Sequence, residues 1–262
     1  MKPKINKFGL EIEAEMSTEL MNKLGDYGKI VSDGSLRCCS LADTRKYHNP
    51  NPRKRLDTME FVSDPIDYNE NGRKQVKEIF RLFDKYFKEK EFHWNRSMGF
   101  HVHISFRPKT PVDIWSVEFA NLFVIKLTKR FPSVFRTRKD NKYCKIIIDE
   151  KEMANMNLGA GSNERYRFIN FVPAWKKHKT IEFRIFPTNK PRIMKQYLGF
   201  TFRIINDFLK HSDEFLKKSL EFSVPKKEKP LGYEFEDKVS ERKRKSDISE
   251  LVNDKKEELN LE

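Results

Sequence analysis

The sequence predicts an α+β fold in which strands and helices of unequal length follow one another along 262 residues. Residues 8–15, FGLEIEAE, are apolar at every second position, which indicates a strand with one buried face. Residues 71–87 have apolar side chains three and four positions apart, which indicates an amphipathic helix. Because the turns are short and no repeat occurs, an irregular α+β arrangement is expected rather than regular βαβ winding.

The first elements follow from the alternation at residues 8–15. The polar face of this strand carries three carboxylates: Glu11, Glu13 and Glu15. Residues 17–24 have helical spacing, with Ser17 as a suitable N-cap. Residues 30–31 form a short apolar step, and residues 43–57, with two Asn-Pro steps, predict a loop.

The later elements continue the same pattern. Strands are expected at residues 58–63, 100–106, 165–172 and 180–186, and helices at 71–87, 112–131 and 191–209. Alternation places His101 and His103 on the polar face of the strand at 100–106. In the last strand it places four residues on one face: Thr180, Glu182, Arg184 and Phe186.

The composition limits the class of protein. The 22 Phe residues and 13% aromatic content supply core material that a disordered chain would lack. Three cysteines, two of them adjacent, fit neither a disulfide framework nor a CxxC zinc site. Neither a signal peptide nor a membrane span of about 20 apolar residues is recognisable, so we expect a soluble, cytoplasmic protein without a membrane partner.

The charge of +14 is unevenly distributed. Residues 226–262 hold ten basic and eleven acidic residues and few apolar ones, which predicts a charged, mobile tail after a single domain over residues 1–225. Residues 126–145 hold eight basic residues and one acidic residue. Such a segment is typical of a solvated surface, of a surface that binds nucleic acid, or of one that attracts an anionic substrate. No base-reading or stacking motif accompanies it, so charge alone does not favour nucleic acid.

The polar faces of the strands contain the candidate metal-binding and catalytic residues. Three carboxylates on a strand inside a fold require cations, and oxygen ligands favour Mg²⁺ or Mn²⁺ over Zn²⁺. His101 and His103 suit metal ligation, phosphate contact or proton transfer. Glu182 and Arg184 suit a salt bridge, or a metal and the phosphate that it bridges. Glu60 in TMEFVSDP and the motif RYRFIN at residues 165–170 add to this set. Together, these are the residue types that Mg-nucleotide phosphoryl transfer requires.

Six motifs in order carry a family resemblance: FGLEIE, DGSL, EFVSDP, GFHVHIS, RYRFIN and TIEFRIFPT. Together they resemble the amidoligase family, which consists of carboxylate–amine ligases with a glutamine-synthetase-like catalytic fold. GFHVHIS and TIEFR also resemble the corresponding strands of glutamine synthetase. The resemblance runs from about residue 8 to residue 188, and the helix after it fits the pattern. One departure is Met98, because many relatives have Cys before the Gly of the HVH motif.

The resemblance implies a curved antiparallel sheet that forms a half-barrel funnel flanked by helices and binds ATP with two or more Mg²⁺ ions, for which Mn²⁺ can substitute. The γ-phosphate passes to a carboxylate, and an amine then displaces phosphate to leave an amide or isopeptide bond. The implied metal ligands are Glu11, Glu13, Glu60, Glu182 and His103. The implied catalytic residues are Arg184, Arg165, His103 and Glu60. The implied nucleotide or substrate contacts are Asp33, Ser35, His101, Asn170 and Arg167.

Several alternatives stay open at this point. The base that deprotonates the amine is Glu60, His101 or Asp33. The partners are a carboxylate and an amine, with peptides and proteins among the candidates, and the sequence does not indicate an oligomeric state. Two other hypotheses explain the same residues: a metal-dependent phosphodiesterase or nuclease, and a non-enzymatic basic protein that binds nucleic acid and whose Glu and His stripes are solvated.

Overall fold

The computed structural model describes residues 4–32, 56–95, 97–107, 117–139, 144–145, 167–171 and 180–222. Its strands are β1 Lys4–Ser17, β2 Gly28–Val31, β3 Leu56–Ser63, β4 Ile66–Asp67, β5 Phe92–His93, β6 Gly99–Arg107, β7 Ile169–Asn170 and β8 Ile181–Pro187. Its helices are α1 Thr18–Leu24, α2 Glu70–Lys88, α3 Val117–Arg130, α4 Pro132–Arg138 and α5 Pro191–Phe222. The side chains of α5 are described as far as His211.

The strands form one open, curved antiparallel sheet, in which β1 is central. The order across the sheet is β2-β3-β1-β6-β8-β7, and β4 and β5 also pair with β1. At 14 residues, β1 is long enough to pair with β3, β4, β5 and β6 along its length. The predicted mixture of helices with an antiparallel sheet is therefore confirmed.

The helices pack on the apolar face of this sheet. Alternation gives β1 a buried apolar row, Phe8, Leu10, Ile12 and Ala14. Aromatic pairs join each long helix to a strand: Phe83 of α2 to Phe92 of β5 at 4.9 Å, Phe123 of α3 to Phe183 of β8 at 5.1 Å, and Phe202 of α5 to Phe8 of β1 at 4.9 Å between ring centroids. These rings occupy the apolar side, which leaves the opposite face of the sheet for polar side chains.

Two helices begin at side-chain caps. The Ser17 hydroxyl accepts a hydrogen bond from the Leu20 N–H at 3.2 Å, so the predicted N-cap is confirmed. Asn69 caps α2 in the same way, by accepting from the Gly72 N–H at 3.0 Å. An added Cβ at Gly72 would lie 1.8 Å from the Asp67 carbonyl oxygen. The close approach of the α2 start to β4 therefore requires a glycine.

Two sequence predictions about β8 and α5 are wrong, and the strand expected at residues 165–172 is reduced to Ile169–Asn170 among the described residues. The pairing of β6 with β8 shifts between Phe100↔Phe186 and Val102↔Phe183, so three residues of β8 oppose two of β6. This bulge turns Phe186 away from the polar face and into the core, where its ring stacks on Tyr197 at 4.7 Å. The last helix also continues to Phe222, beyond the predicted end at residue 209.

The chain divides into two compact units, Met1–His211 and Ser212–Glu262. The expected boundary between a domain at 1–225 and a tail at 226–262 stays a prediction, because the tail lies outside the described residues. Among the helices that the structure describes, none is both long and apolar enough to span a membrane.

Candidate active site on the polar face of the sheet

The strand register gathers acidic and histidine side chains on the face opposite the helices. Glu11 of β1 lies opposite His101 of β6, and His103 lies opposite Glu182 of β8. The two outer pairs are Glu13 with Glu60 and Asn170 with Glu182. Because paired residues of antiparallel strands project to the same side, five strands contribute to one cluster.

Glu11 is the carboxylate that joins both histidines. Its Oε2 lies 3.1 Å from His101 Nδ1, and its Oε1 lies 2.9 Å from His103 Nε2. Burial would raise the pKa of the Glu11 carboxyl, but the charges and hydrogen bonds of His103 and His101 outweigh burial and hold that pKa well below its usual value. Glu11 is therefore a carboxylate at neutral pH.

Glu182 is held from two sides. Its Oε2 accepts a hydrogen bond from Asn170 Nδ2 at 2.7 Å, and its Oε1 forms an ion pair with Arg184 Nη1. Oε1 also lies 3.6 Å from His101 Nδ1 and 3.8 Å from His103 Nε2. These contacts place a buried carboxylate, 3% exposed, between an arginine and two histidines.

The nearby carboxylates raise the pKa values of the two positive groups, His103 and Arg184. Burial would lower the pKa of His103, but Glu11 and Glu182 raise it to about 9. Burial would likewise lower the pKa of the Arg184 guanidinium, but Glu182 and Glu11 raise it above its usual value. A proton on His103 and the charge of Arg184 offset the carboxylates. A bound cation would take over part of that role.

Glu13 has a different environment. Its Oε2 accepts a hydrogen bond from the Gly99 N–H, and its Oε1 lies 3.8 Å from His101 Nε2. The Thr188 hydroxyl lies 2.8 Å from the Glu13 carbonyl oxygen and 2.7 Å from the Gly99 carbonyl oxygen, so its proton ties β1 to β6. Glu13 therefore positions β6 and His101.

Two overlapping groups of donors could hold a cation. Within each group, one donor atom from every residue lies within 4.8 Å of the others. The groups are Glu11 with His103 and Glu182, and Glu11 with Glu60 and His101. Three carboxylates outnumber two imidazoles, a set that fits hard divalent cations such as Mg²⁺ or Mn²⁺. Glu11 belongs to both groups, so one carboxylate is common to the two.

The candidate site residues predicted from the sequence fall into three groups in the structure. Eight come together in this cluster: Glu11, Glu13, Glu60, His101, His103, Asn170, Glu182 and Arg184. Arg167 forms an isolated parallel bridge with Lys145 beside β7. Three candidates lie outside the described residues: Arg165, Asp33 and Ser35. The roles of all these residues stay predictions.

A family model described as "Putative amidoligase enzyme" matches residues 4–151, more than half of the chain. The chain belongs to the amidoligase family. The resemblance that the motifs predicted is thus confirmed, and it classes the protein as a ligase. No curated protein matches the chain, and no solved structure matches it.

The match to the amidoligase family extends from β1 through α4. Glu182, Arg184 and Asn170 lie beyond the matched residues, and the pairing of β6, β8 and β7 joins them to the cluster. The sheet thus combines the family-matched strands with two strands that the match does not reach.

Sequence reasoning missed three residues around this site. Gly99 opens the motif GFHVHIS, and an added Cβ there would lie 2.5 Å from His101 Nε2 and 3.2 Å from Glu13 Oε2. Thr188 closes the motif TIEFRIFPT, and its hydroxyl contacts could not be foreseen. Gly99 and Thr188 each lie at one end of a motif that contains candidate site residues. That position is the sequence signal that indicates them.

Arg138 is the third residue, and it comes from the basic segment at 126–145. Arg138 is 5% exposed, and its guanidinium donates hydrogen bonds to the carbonyls of Ile185 at 3.2 Å and Phe186 at 3.3 Å. Burial lowers its pKa from the usual value. Arg138 satisfies backbone carbonyls at the β8 bulge, and no feature of the sequence distinguishes it from its exposed basic neighbours.

Proposed function

We propose that the protein is an ATP- and Mg²⁺-dependent carboxylate–amine ligase that forms an amide or isopeptide bond through an acyl phosphate. The observation that carries the proposal is the pair of candidate cation groups sharing Glu11, with the Arg184 guanidinium beside them. Membership of the amidoligase family supports the reaction class. We further propose that the open antiparallel sheet is a glutamine-synthetase-like funnel whose polar face holds the nucleotide.

In this proposal, Glu11, Glu60, Glu182, His101 and His103 would hold the cations. Bound Mg²⁺ would screen the triphosphate so that an anionic carboxylate can approach it. Arg184 supplies a permanent positive charge where negative charge develops on the transferring phosphoryl group. Asn170 and Arg184 fix the two oxygens of Glu182, so its orientation is set before the substrates bind.

The chemistry balances in two steps. A substrate carboxylate oxygen attacks the γ-phosphorus, the bond from that phosphorus to the β–γ bridging oxygen breaks, and ADP leaves. The amine nitrogen then attacks the acyl carbon, the carbon–oxygen bond to phosphate breaks, and phosphate leaves while the nitrogen loses a proton. Glu60, His101 and Asp33 are the candidates for accepting that proton. His101 already lies within reach of Glu11 and Glu182, and Asp33 is outside the described residues.

The test is mass spectrometry of candidate peptides incubated with the protein, ATP and Mg²⁺. We expect a product whose mass is that of two partners less one water, with one ADP released per bond formed. Arg184→Ala should lower kcat by about 10³-fold, as the loss of an arginine that stabilises a phosphoryl transition state does. Glu182→Gln should abolish the product, whereas Glu70→Gln, an exposed change on α2, should not alter it. A fully active Glu182→Gln enzyme would contradict the assignment of that ligand.

A metal-dependent phosphodiesterase is the second candidate. The shared carboxylate of the two cation groups favours it, because paired metals also activate water for phosphodiester cleavage. It predicts nucleic-acid cleavage with Mg²⁺ alone, in the absence of ATP. The hypothesis of solvated stripes is disfavoured, because Glu13, His101 and Glu182 are all buried.

A further inference from the structure

The surface charges of α2 and α3 are arranged differently. On α2, four basic residues have acidic partners: Arg73 with Glu70, Arg81 with Glu78, Lys85 with Glu89 and Lys88 with Asp84. Residues 119–139, which cover most of α3 and all of α4, hold six Lys and Arg and no Asp or Glu. Four of these six are exposed and form what we call the α3–α4 basic surface: Lys126, Lys129, Arg130 and Arg136.

The charges of the α3–α4 basic surface are not neutralised within the described part of the chain. None of its four residues forms an ion pair there, and Lys126, Lys129 and Arg130 share one side of α3 because they lie three and four positions apart. Basic residues near a helix C-terminus stabilise the helix dipole. On α2, however, the residues in that position, Lys85 and Lys88, are paired with Glu89 and Asp84.

The α3–α4 basic surface is connected to the candidate active site through α4. Arg138, the last residue of α4, donates to the Ile185 and Phe186 carbonyls of β8. β8 is the strand that carries Glu182 and Arg184. α3 packs on the apolar face of the sheet through Phe123 and Phe183, and the cluster lies on the opposite face. A polyanion bound on α3 and α4 would therefore have to extend around the sheet to bring a carboxylate to the cluster, which requires a long, flexible chain.

We propose that the α3–α4 basic surface docks an acidic polypeptide, one carboxylate of which is the acyl substrate of the ligase; this substrate class rests on the proposed function. A chain rich in Asp and Glu supplies both the charge that the surface lacks and the carboxylate that the reaction consumes. Single-stranded nucleic acid fits less well, because it needs exposed aromatic rings for stacking. Among the described residues, the only exposed large hydrophobic side chain is the aliphatic Ile125, next to Lys126.

The test measures binding separately from catalysis. Fluorescence anisotropy with a labelled poly-glutamate peptide, at low and high salt, gives the affinity of the full chain without ATP. The double variant Lys126→Glu/Lys129→Glu should weaken binding by about tenfold or more, and the milder Lys126→Gln/Lys129→Gln by less. The matched control is Lys74→Glu/Lys77→Glu, which makes the same charge change at two exposed lysines of α2, also three residues apart. It should change the affinity by less than about twofold.

Each outcome decides the proposal. Equal weakening by the two double variants would mean attraction by net charge alone, and unchanged binding in the α3 variant would mean that the surface is not used; either result overturns it. Tighter binding of an RNA of equal charge through Lys126 and Lys129 would also overturn it. Peptide binding that depends on these lysines, in a protein that forms no amide with ATP and Mg²⁺, would retain the docking surface and refute the ligase hypothesis instead.

Discussion

Two Glu–His pairs on β1 look alike in sequence and register but differ in their surroundings. Glu11 lies opposite His101, and four residues further along the strand Glu15 lies opposite His93. Both histidines are buried, at 4% and 2% exposure. Around Glu11, β6 and β8 add His103 and Glu182, β3 adds Glu60, and two candidate cation groups result. No such group among the described residues contains Glu15 or His93.

His103, which contacts the Glu11 of the first pair, and His93 of the second pair differ in ionisation. The carboxylates Glu11 and Glu182 overcome burial and raise the pKa of His103 to about 9. At His93 burial dominates over the attraction of Glu15 and the hydrogen bond from the ring to the Lys90 carbonyl, so the pKa is lowered. A cross-strand Glu–His pair is therefore not a site by itself. A carboxylate that converges from a further strand distinguishes the candidate active site from the isolated Glu15–His93 pair.

The largest expected effect comes from changing the two glutamates of β1 separately. Glu11→Gln removes the carboxylate shared by both cation groups and should lower ligase activity by at least about 10²-fold. Glu15→Gln keeps the shape of a side chain that belongs to neither group and should leave activity within about threefold. Steady-state rates of amide formation with ATP and Mg²⁺, together with far-UV circular dichroism, measure the contrast. Equal losses in both variants would refute the distinction between the pairs.

Two glycine substitutions, one beside His101 and one on α5, test whether activity depends on the position of the side chains around Glu11. In Gly99→Ala, the new methyl group would lie 2.5 Å from His101 Nε2 and displace it from Glu13, so activity should fall by about tenfold or more. Gly199→Ala on α5 meets no atom within 4 Å and should stabilise the protein by about 0.5–1 kcal/mol with unchanged activity. Activity assays and urea unfolding of both variants test this. Wild-type activity in Gly99→Ala would show that the position of His101 is not critical.

The cluster could be predicted from sequence where strict alternation holds and not where it breaks. Period two places Glu11, His101 and His103 on polar faces, and the structure places them together. The same rule put Phe186 on the polar face, because a β-bulge adds a residue without a signature in the hydrophobic pattern. Nor could alternation show that β6 and β8 would be neighbours. That pairing depends on long-range packing, such as the contact of Phe123 with Phe183.

The effect of Mg²⁺ on thermal stability should distinguish the Glu11 pair from the Glu15 pair without an activity assay. A cation that binds only the folded chain stabilises it by about 2.7 kcal/mol when its concentration is 100 times its Kd. Mg²⁺ should therefore raise the Tm of the wild-type protein and of Glu15→Gln, and EDTA should reverse the increase. In Glu11→Gln the increase should be mostly lost, because both groups lose a ligand. An undiminished Mg²⁺ effect in Glu11→Gln would place the cation elsewhere.

The smallest expected effect concerns His93 and the pH dependence of stability. Because burial lowers its pKa below the ordinary 6.5, His93 is neutral in the folded chain while the unfolded chain takes up a proton as the pH falls. Its contribution to stability is therefore full above about pH 6.5 and diminishes as the pH falls towards the lowered folded-state pKa. In His93→Gln this component is absent, so the free energy of unfolding from urea titrations should fall less steeply between neutral and mildly acidic pH than in the wild type. An equal or steeper fall in the variant would mean that the His93 ring is not held neutral, and that the Glu15 pair resembles the Glu11 pair more than its surroundings indicate.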